Sequence, residues 1–259
     1  MSPTPVDVER LSSREALVVA SGGHPVIRYD TGAGLLLPSL GLTGTSAVAW
    51  AQTWPDERRG VQLLGSHDEL AALLASPSFP EWFTEHDPVH VTAPRDSYAA
   101  VDGVLPVRGG NTWDWMWTVT PSATLPAEAR VERILDDERD ALVEFLRLHN
   151  PTTHATPFAR PTQQWVVVRD DSGLLIGSGC SEPGNARIPL LGGITVDTAH
   201  RGRGLGAAIT AYLTREAIER TGASSLGVFE DNPLARRLYE RLGYRVGLSA
   251  RTRFVMRRR

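Results

Sequence analysis

Between a short apolar alternation and a helical pattern, residues 194–210 read ITVDTAHRGRGLGAAIT. Positions 201–206 alone hold three glycines and two arginines. A strand that runs into a tight turn and then a helix belongs to architectures in which helices pack on a sheet. Glycine reaches backbone conformations closed to other residues and lets a ligand approach without a Cβ in the way. The first N–H groups of a helix have no acceptor inside it. Such a turn is therefore an anion site of phosphate size, and Arg201 and Arg203 can add charge-assisted bonds to it.

Composition narrows which phosphate ligand fits. All 27 basic residues are arginine, so a lysine nucleophile, a Schiff base and a lysine-bearing P-loop are excluded. A dinucleotide loop fits poorly. The glycines fall at 202, 204 and 206, and they follow several strands that read as antiparallel rather than opening a parallel βαβ unit. The single cysteine, Cys180, excludes an intrachain disulfide and a thiolate cluster, and the sparse histidines supply no spaced metal set. No apolar run of membrane-spanning length occurs, and the opening MSPTPVDVERLSSREALVV lacks a basic start before an apolar core. A cytoplasmic protein with no membrane partner is expected. The net charge of −3 hides an asymmetry: residues 1–128 hold 15 acids against 7 arginines, and residues 201–259 hold 13 arginines against 5 acids. The basic region suits a phosphorylated small molecule. No interleaving of basic and aromatic residues points to nucleic acid.

Periodicity supplies the remaining frame. SREALVVA and SHDELAALLAS read as helices, the latter capped by Ser66 or Asp68. HPVIRYD and GLLLPS read as short extended pieces, TSAVAWAQT and PVHVTAP as strands, and FPEWFTEHD as a short helix. In TWDWMWTVT, Trp113, Trp115 and Trp117 alternate onto one face, as a core-facing strand would place them. TPSATLPAEAR, 120–130, reads as a linker, and a boundary near 125 divides the chain into lobes 1–125 and 126–259. Beyond it come a strand, the helix 136–150, an irregular stretch, the strands QQWVVVRD and LLIGSGCSE, and ARIPLLGGITVD with a bulge or kink at its paired glycines. Helix, strand, helix and a terminal strand or hairpin follow the glycine turn. The expected class is α/β: a mixed, mainly antiparallel sheet with helices on both faces, opening in a V after Val196, preceded by a second α/β lobe.

A second signal lies at SLGVFEDNPLARRLYERLGYR, where Asn232 ends a strand and Tyr239 sits two helical turns on. Arg201, Gly204 and Gly206 fit Arg/Gln-x-x-Gly-x-Gly/Ala. Asn232, Ala235, Tyr239, Gly243 and Tyr244 fit Asn-x-x-Ala-x-x-x-Tyr-x-x-x-Gly-Phe/Tyr. In this order the two motifs resemble those of the GNAT superfamily, the acetyl-CoA-dependent N-acyltransferases, over roughly 129–259. The resemblance implies that Ile194, Thr195 and Val196 lie on a splayed strand that pairs with the pantetheine amides. It implies that Arg201, Gly202, Arg203, Gly204, Leu205 and Gly206 hold the pyrophosphate of acetyl-CoA. Asn232 then fixes the cofactor arm or the following helix, and Tyr239 is the acid that protonates the departing thiolate.

The resemblance implies direct attack of a primary amine, on a small molecule or a peptide, upon the thioester, with no covalent intermediate. The alternative is an acyl-CoA-binding regulatory or interaction protein without turnover. Glu182 leads the candidates for the base; His149, His154, Asp197 and a water relay are the others. The N-terminal lobe has two readings: a degenerate acyltransferase-like half or an unrelated cap. The resemblance also admits a homodimer.

Overall fold

In a computed structural model of the chain, residues 7–54, 57–160, 162–186 and 188–256 are described; the start of the chain and the last three arginines of the basic run lie outside them. The elements are β1 (Val8–Leu11), α1 (Arg14–Ala20), α2 (Pro25–Asp30), β2 (Leu35–Leu42), β3 (Val48–Thr53), β4 (Arg59–Leu64), α3 (His67–Ala75), α4 (Ser78–His86), β5 (His90–Pro94), α5 (Tyr98–Asp102) and β6 (Val107–Thr118). There follow β7 (Glu132–Ile134), α6 (Arg139–His149), β8 (Gln164–Arg169), β9 (Leu175–Pro183), β10 (Pro189–Val196), α7 (Leu205–Thr221), β11 (Ser224–Phe229), α8 (Pro233–Arg241) and β12 (Arg245–Val255). No helix among the described residues is long and apolar enough to cross a membrane.

The chain divides into two compact units, and the division falls between Trp115 and Met116, inside β6, not near 125. The residues from Gly247 onward return to the first unit. In that unit β1 to β4 form an antiparallel meander, β5 runs parallel to β4, and β12 pairs antiparallel with β5 from Arg253–Val91 to Ala250–Pro94. Its core sets Leu70, Leu73 and Leu74 of α3 with Phe79 and Trp82 of α4 against the sheet. Ser66 caps α3 in a capping box with Glu69, which settles the choice of cap. HPVIRYD forms α2 rather than an extended piece. Pro25 at its first turn lacks only an N–H that the helix leaves unpaired, and His24 accepts from Val26 N–H.

In the second unit β7, β8, β9 and β10 are successively antiparallel, and β11 runs parallel to β10. The unbroken apolar run Trp165–Val168 is the signature of a strand covered on both faces. Val166 and Val168 pack with Ile209 and Leu213 of α7, while Trp165 and Val167 pack with Leu142 and Leu146 of α6. The mixed sheet with helices on both faces is as the sequence implies. Along the chain both units follow one element order: strand, helical segment, three antiparallel strands, helical segment, parallel strand, helix, strand.

The tryptophan strand is less uniform than its alternation predicts. Trp115 is wholly buried, but Trp113 is half-buried with its indole N–H donating to Thr252 Oγ1, and Trp117 lies under the Arg245 guanidinium. The stretch 120–130 is not a free linker. Ser122 donates to Leu242 O, residues Pro126–Arg130 form a 3₁₀ turn, and the Glu128 carboxylate, 5% exposed, pairs with Arg215 of α7. Breaking a buried ion pair costs about 3–5 kcal/mol, because the remaining charge is stranded. With its guanidinium partly in water, Arg215→Ala is expected to cost about 2 kcal/mol. Urea unfolding reads the loss, and limited proteolysis within 120–130 should be slow in the native protein and fast in the variant.

Candidate active site

The centre of the second unit is an irregularity in β10. Its register with β9 breaks between Gly192 and Thr195, so the paired glycines form the bulge their sequence suggests. Gly193 has φ +62°, a left-handed conformation, and a Cβ there would lie 2.6 Å from the Trp165 ring. The Gly193 carbonyl accepts from Ser178 Oγ at 3.1 Å and Thr195 Oγ1 at 3.0 Å, and Thr195 Oγ1 in turn accepts from Asn150 at 3.0 Å. Across a trans peptide the next N–H points opposite to the carbonyl. The Ile194 N–H is therefore turned away from these hydroxyls.

The other edge of β10 pairs with β11 through Leu190–Ser225 and Leu191–Leu226, and among the described residues that register goes no further. The strands part at the bulge, several residues before the position after Val196 that the sequence suggests. The extra residue of a bulge re-aims the backbone, which explains the early parting.

Beyond Val196 the turn is tied down from within. The Asp197 carboxylate accepts from Ala199 N–H at 3.1 Å and bonds His200 Nδ1 at 2.7 Å; these bonds, the histidine first, hold it below the usual carboxylate range. Arg201 Nε reaches back to Val196 O at 3.3 Å. Gly202 and Gly204 both have φ +77°. The first bond inside α7 runs from Ala208 N–H to Gly204 O. The N–H groups of Leu205, Gly206 and Ala207 thus have no acceptor in the helix. A Cβ on Gly206 would meet Val196 and Leu238 at ordinary contact distance, so this helix start is seated between β10 and α8. The Arg201 bond to Val196 O and the contact of Gly206 with Val196 bring the sequence-predicted residues 194–196 and 201–206 side by side.

Asn232 is the N-cap of α8, its Oδ1 accepting from Ala235 N–H at 3.1 Å. Tyr239 is buried on α8, and burial pushes its phenol up to about 12. Tyr244, the motif's last residue, hydrogen-bonds Thr214 and Ser224 through its hydroxyl and ties the start of β12 to α7 and β11.

The α6 face carries the remaining candidates. The His149 ring lies tilted against Phe145 with centroids 4.8 Å apart and sets Nδ1 3.6 Å from the Asp197 carboxylate. Glu182, on β9 opposite Leu190, accepts from Gln163 at 3.1 Å and lies 3.8 Å from Arg160. His154 is exposed, with its ring edge-on to Phe229 at 5.8 Å. Cys180 is fully buried, and burial pushes its thiol far above the ordinary value. Sequence reading missed Ser178 and Asn150, which hold the bulge through contacts 15 and 45 residues apart. Among the described residues no group of three or more His, Cys, Asp or Glu is placed to hold a metal.

The unit that carries this arrangement resembles known proteins. Residues 130–244, a little under half of the chain, match the acetyltransferase (GNAT) family. The C-terminal half has the GNAT superfamily fold. No curated protein matches the chain. Among solved structures, a GCN5-related N-acetyltransferase from Sphaerobacter thermophilus is similar at 17% identity and TM-score 0.58, over 97% of this chain and 96% of that one. One from Kribbella flavida is also 17% identical, with TM-score 0.54 and 95% of each chain covered. A tandem GNAT protein from the clavulanic acid biosynthesis pathway is 16% identical, with TM-score 0.50, over 98% of this chain and 100% of that one.

Two glycines in this GNAT-fold unit separate backbone strain from collision. Gly202 has a left-handed φ with nothing near its Cβ direction, whereas Gly193 combines such a φ with the Trp165 ring. Gly202→Ala should cost about 1 kcal/mol from conformation alone. Gly193→Ala should cost about 2–4 kcal/mol, because overpacking adds to it. Urea denaturation of the two variants checks the difference.

Proposed function

We propose that this chain transfers an acetyl group from acetyl-CoA to a primary amine of a small molecule or a peptide. The observation that carries the reading is the parting of β10 from β11 at the bulge, directly before the glycine–arginine turn and α7. An acyl-CoA presents a pyrophosphate, an amide-bearing arm and a thioester. In this reading the N–H groups at the start of α7, with Arg201 and Arg203, hold the pyrophosphate. The open edge of Ile194, Thr195 and Val196 pairs with the arm's amides. The Ile194 N–H polarises the thioester carbonyl, a preorganised donor aimed where negative charge develops.

Tyr239 serves as the acid for the departing thiolate. Its phenol, lifted to about 12 by burial, stays protonated throughout the neutral range. Asn232 acts by starting α8 in the register that delivers Tyr239. Glu182 belongs to the acceptor side: its bonds to Gln163 and Arg160 suit it to ordering the segment before β8. The first lobe fits a degenerate acyltransferase-like half, since it repeats the element order, and the similar tandem GNAT protein supports that reading. Its turn from β4 to α3 is only Gly65 and Ser66, and the Glu69 carboxylate already bonds the Ser66 N–H at 2.8 Å. An anion site is closed there by the chain's own carboxylate.

Calorimetry with acetyl-CoA should therefore find one site per chain, lost in Gly204→Glu, which sets a carboxylate at the start of α7. Two sites per chain, or equal binding by the variant, would contradict the assignment. For Tyr239→Phe, single-turnover transfer should fall about 10²–10⁴-fold while acetyl-CoA affinity is retained. A near-native rate would remove Tyr239 from the chemistry. Binding by the native protein without thiol release from any amine would favour the non-catalytic, acyl-CoA-binding reading.

A further inference from the structure

Resting on the acetyl-transfer reading, we propose that His154 is the group that takes the proton from the acceptor amine. Leu190 pairs with Ser225 and Leu191 with Leu226. Carried through the bulge, where β10 takes three steps against two of β9, that register sets Phe229, the last residue of β11, across the opening from the Ile194–Thr195 segment, where the Ile194 N–H is turned from the two hydroxyls on Gly193 O. The segment after α6 spans this opening. The Ala155 Cβ lies 3.7 Å from the Cβ direction of Gly192 and 3.4 Å from that of Gly193. One residue earlier, the His154 ring meets the edge of Phe229. Adjacent residues thus touch both sides of the gap, and one of them bears an imidazole.

The competing bases on the same face are already engaged. His149 sets Nδ1 3.6 Å from Asp197 and packs its ring, tilted, against Phe145. The Glu182 carboxylate faces Gln163 and Arg160. The Cys180 thiol is buried within the α6 face. His154 is exposed and makes no hydrogen bond or ion pair among the described residues. A neutral imidazole carries a ring-nitrogen lone pair that can accept the proton of an attacking amine.

The step balances without a further reactant. The amine nitrogen forms its bond to the acetyl carbon as the carbon–sulfur bond breaks. One amine proton passes to the His154 imidazole, and the thiolate takes up one proton from Tyr239. The imidazolium returns its proton to the phenolate through water, which leaves an amide and a free thiol.

The test uses the full chain with acetyl-CoA and a probe panel of tyramine, spermidine and a tripeptide with a free N-terminus. His154→Gln should lower single-turnover transfer about 10²–10⁴-fold with acetyl-CoA affinity and melting temperature unchanged. His154→Ala should regain at least about tenfold of its lost rate on addition of free imidazole, which a packing role would not produce. A native chain that turns over while both variants keep its rate would overturn the role of His154 and leave the acetyl-transfer reading standing. A variant slowed without imidazole rescue would also overturn it, in favour of a positioning role. A native chain that binds acetyl-CoA but acetylates none of the panel would overturn the transfer reading, and this proposal with it.

Discussion

The second unit depends on one carbonyl. Gly193 turns its C=O to the hydroxyls of Ser178 and Thr195, and only glycine can do so beside the Trp165 ring. A buried carbonyl with two such partners is costly to release, since leaving it unpaired costs about 1–3 kcal/mol. The pairing fixes the bulge, the bulge ends the ladder with β11, and the parted strands expose a backbone edge. A regular β10 would have continued the parallel ladder and closed it. The Asn150 bond to Thr195 links the same carbonyl to the end of α6. The opened edge of β10 and the end of α6 are thereby set by one chain of hydrogen bonds.

The two units use one order of elements to different ends. In the second, β10 has a break in register, and the residues between Val196 and Leu205 leave a helix start bare. In the first, the strand at the same place in the element order, β4, pairs with β3 from Thr53–Arg59 to Val48–Leu64 with no shift, and the turn after it is only Gly65 and the self-capping Ser66. A capping box stabilises a helix by meeting the same N–H groups that a phosphate would meet. Stability and anion binding are thus alternatives at that position.

Much of this was legible in the sequence, for physical reasons. The turn 201–206 was legible because glycine and arginine density at a strand–helix junction has few other uses. The bulge was legible because two adjacent glycines inside a strand weaken it unless they serve a kink. Asn232 and Tyr239 were legible from spacing, although that spacing does not separate a cap from a cofactor contact. The division of the chain was not legible. Composition favoured a break in the Pro- and Ser-rich stretch near 125, yet Glu128 is held by Arg215, 87 residues away, and the units exchange within β6 and β12. The helix α2 was hidden because β-branched residues and tyrosine in HPVIRYD favour strands, while its proline and histidine cap act locally. The Ser178–Gly193 bond joins separate strands and has no local signature.

The central claim is that the opened edge of β10 and the start of α7 together receive acetyl-CoA. Backbone amide NMR of the full chain during an acetyl-CoA titration tests it at the atoms concerned. The account predicts saturable shifts at the amides of Ile194, Val196 and Gly204–Ala207, with those of Gly65–Glu69 unchanged. Shifts confined to the first unit, or saturation that leaves the Ile194 and Leu205 amides unmoved, would contradict it.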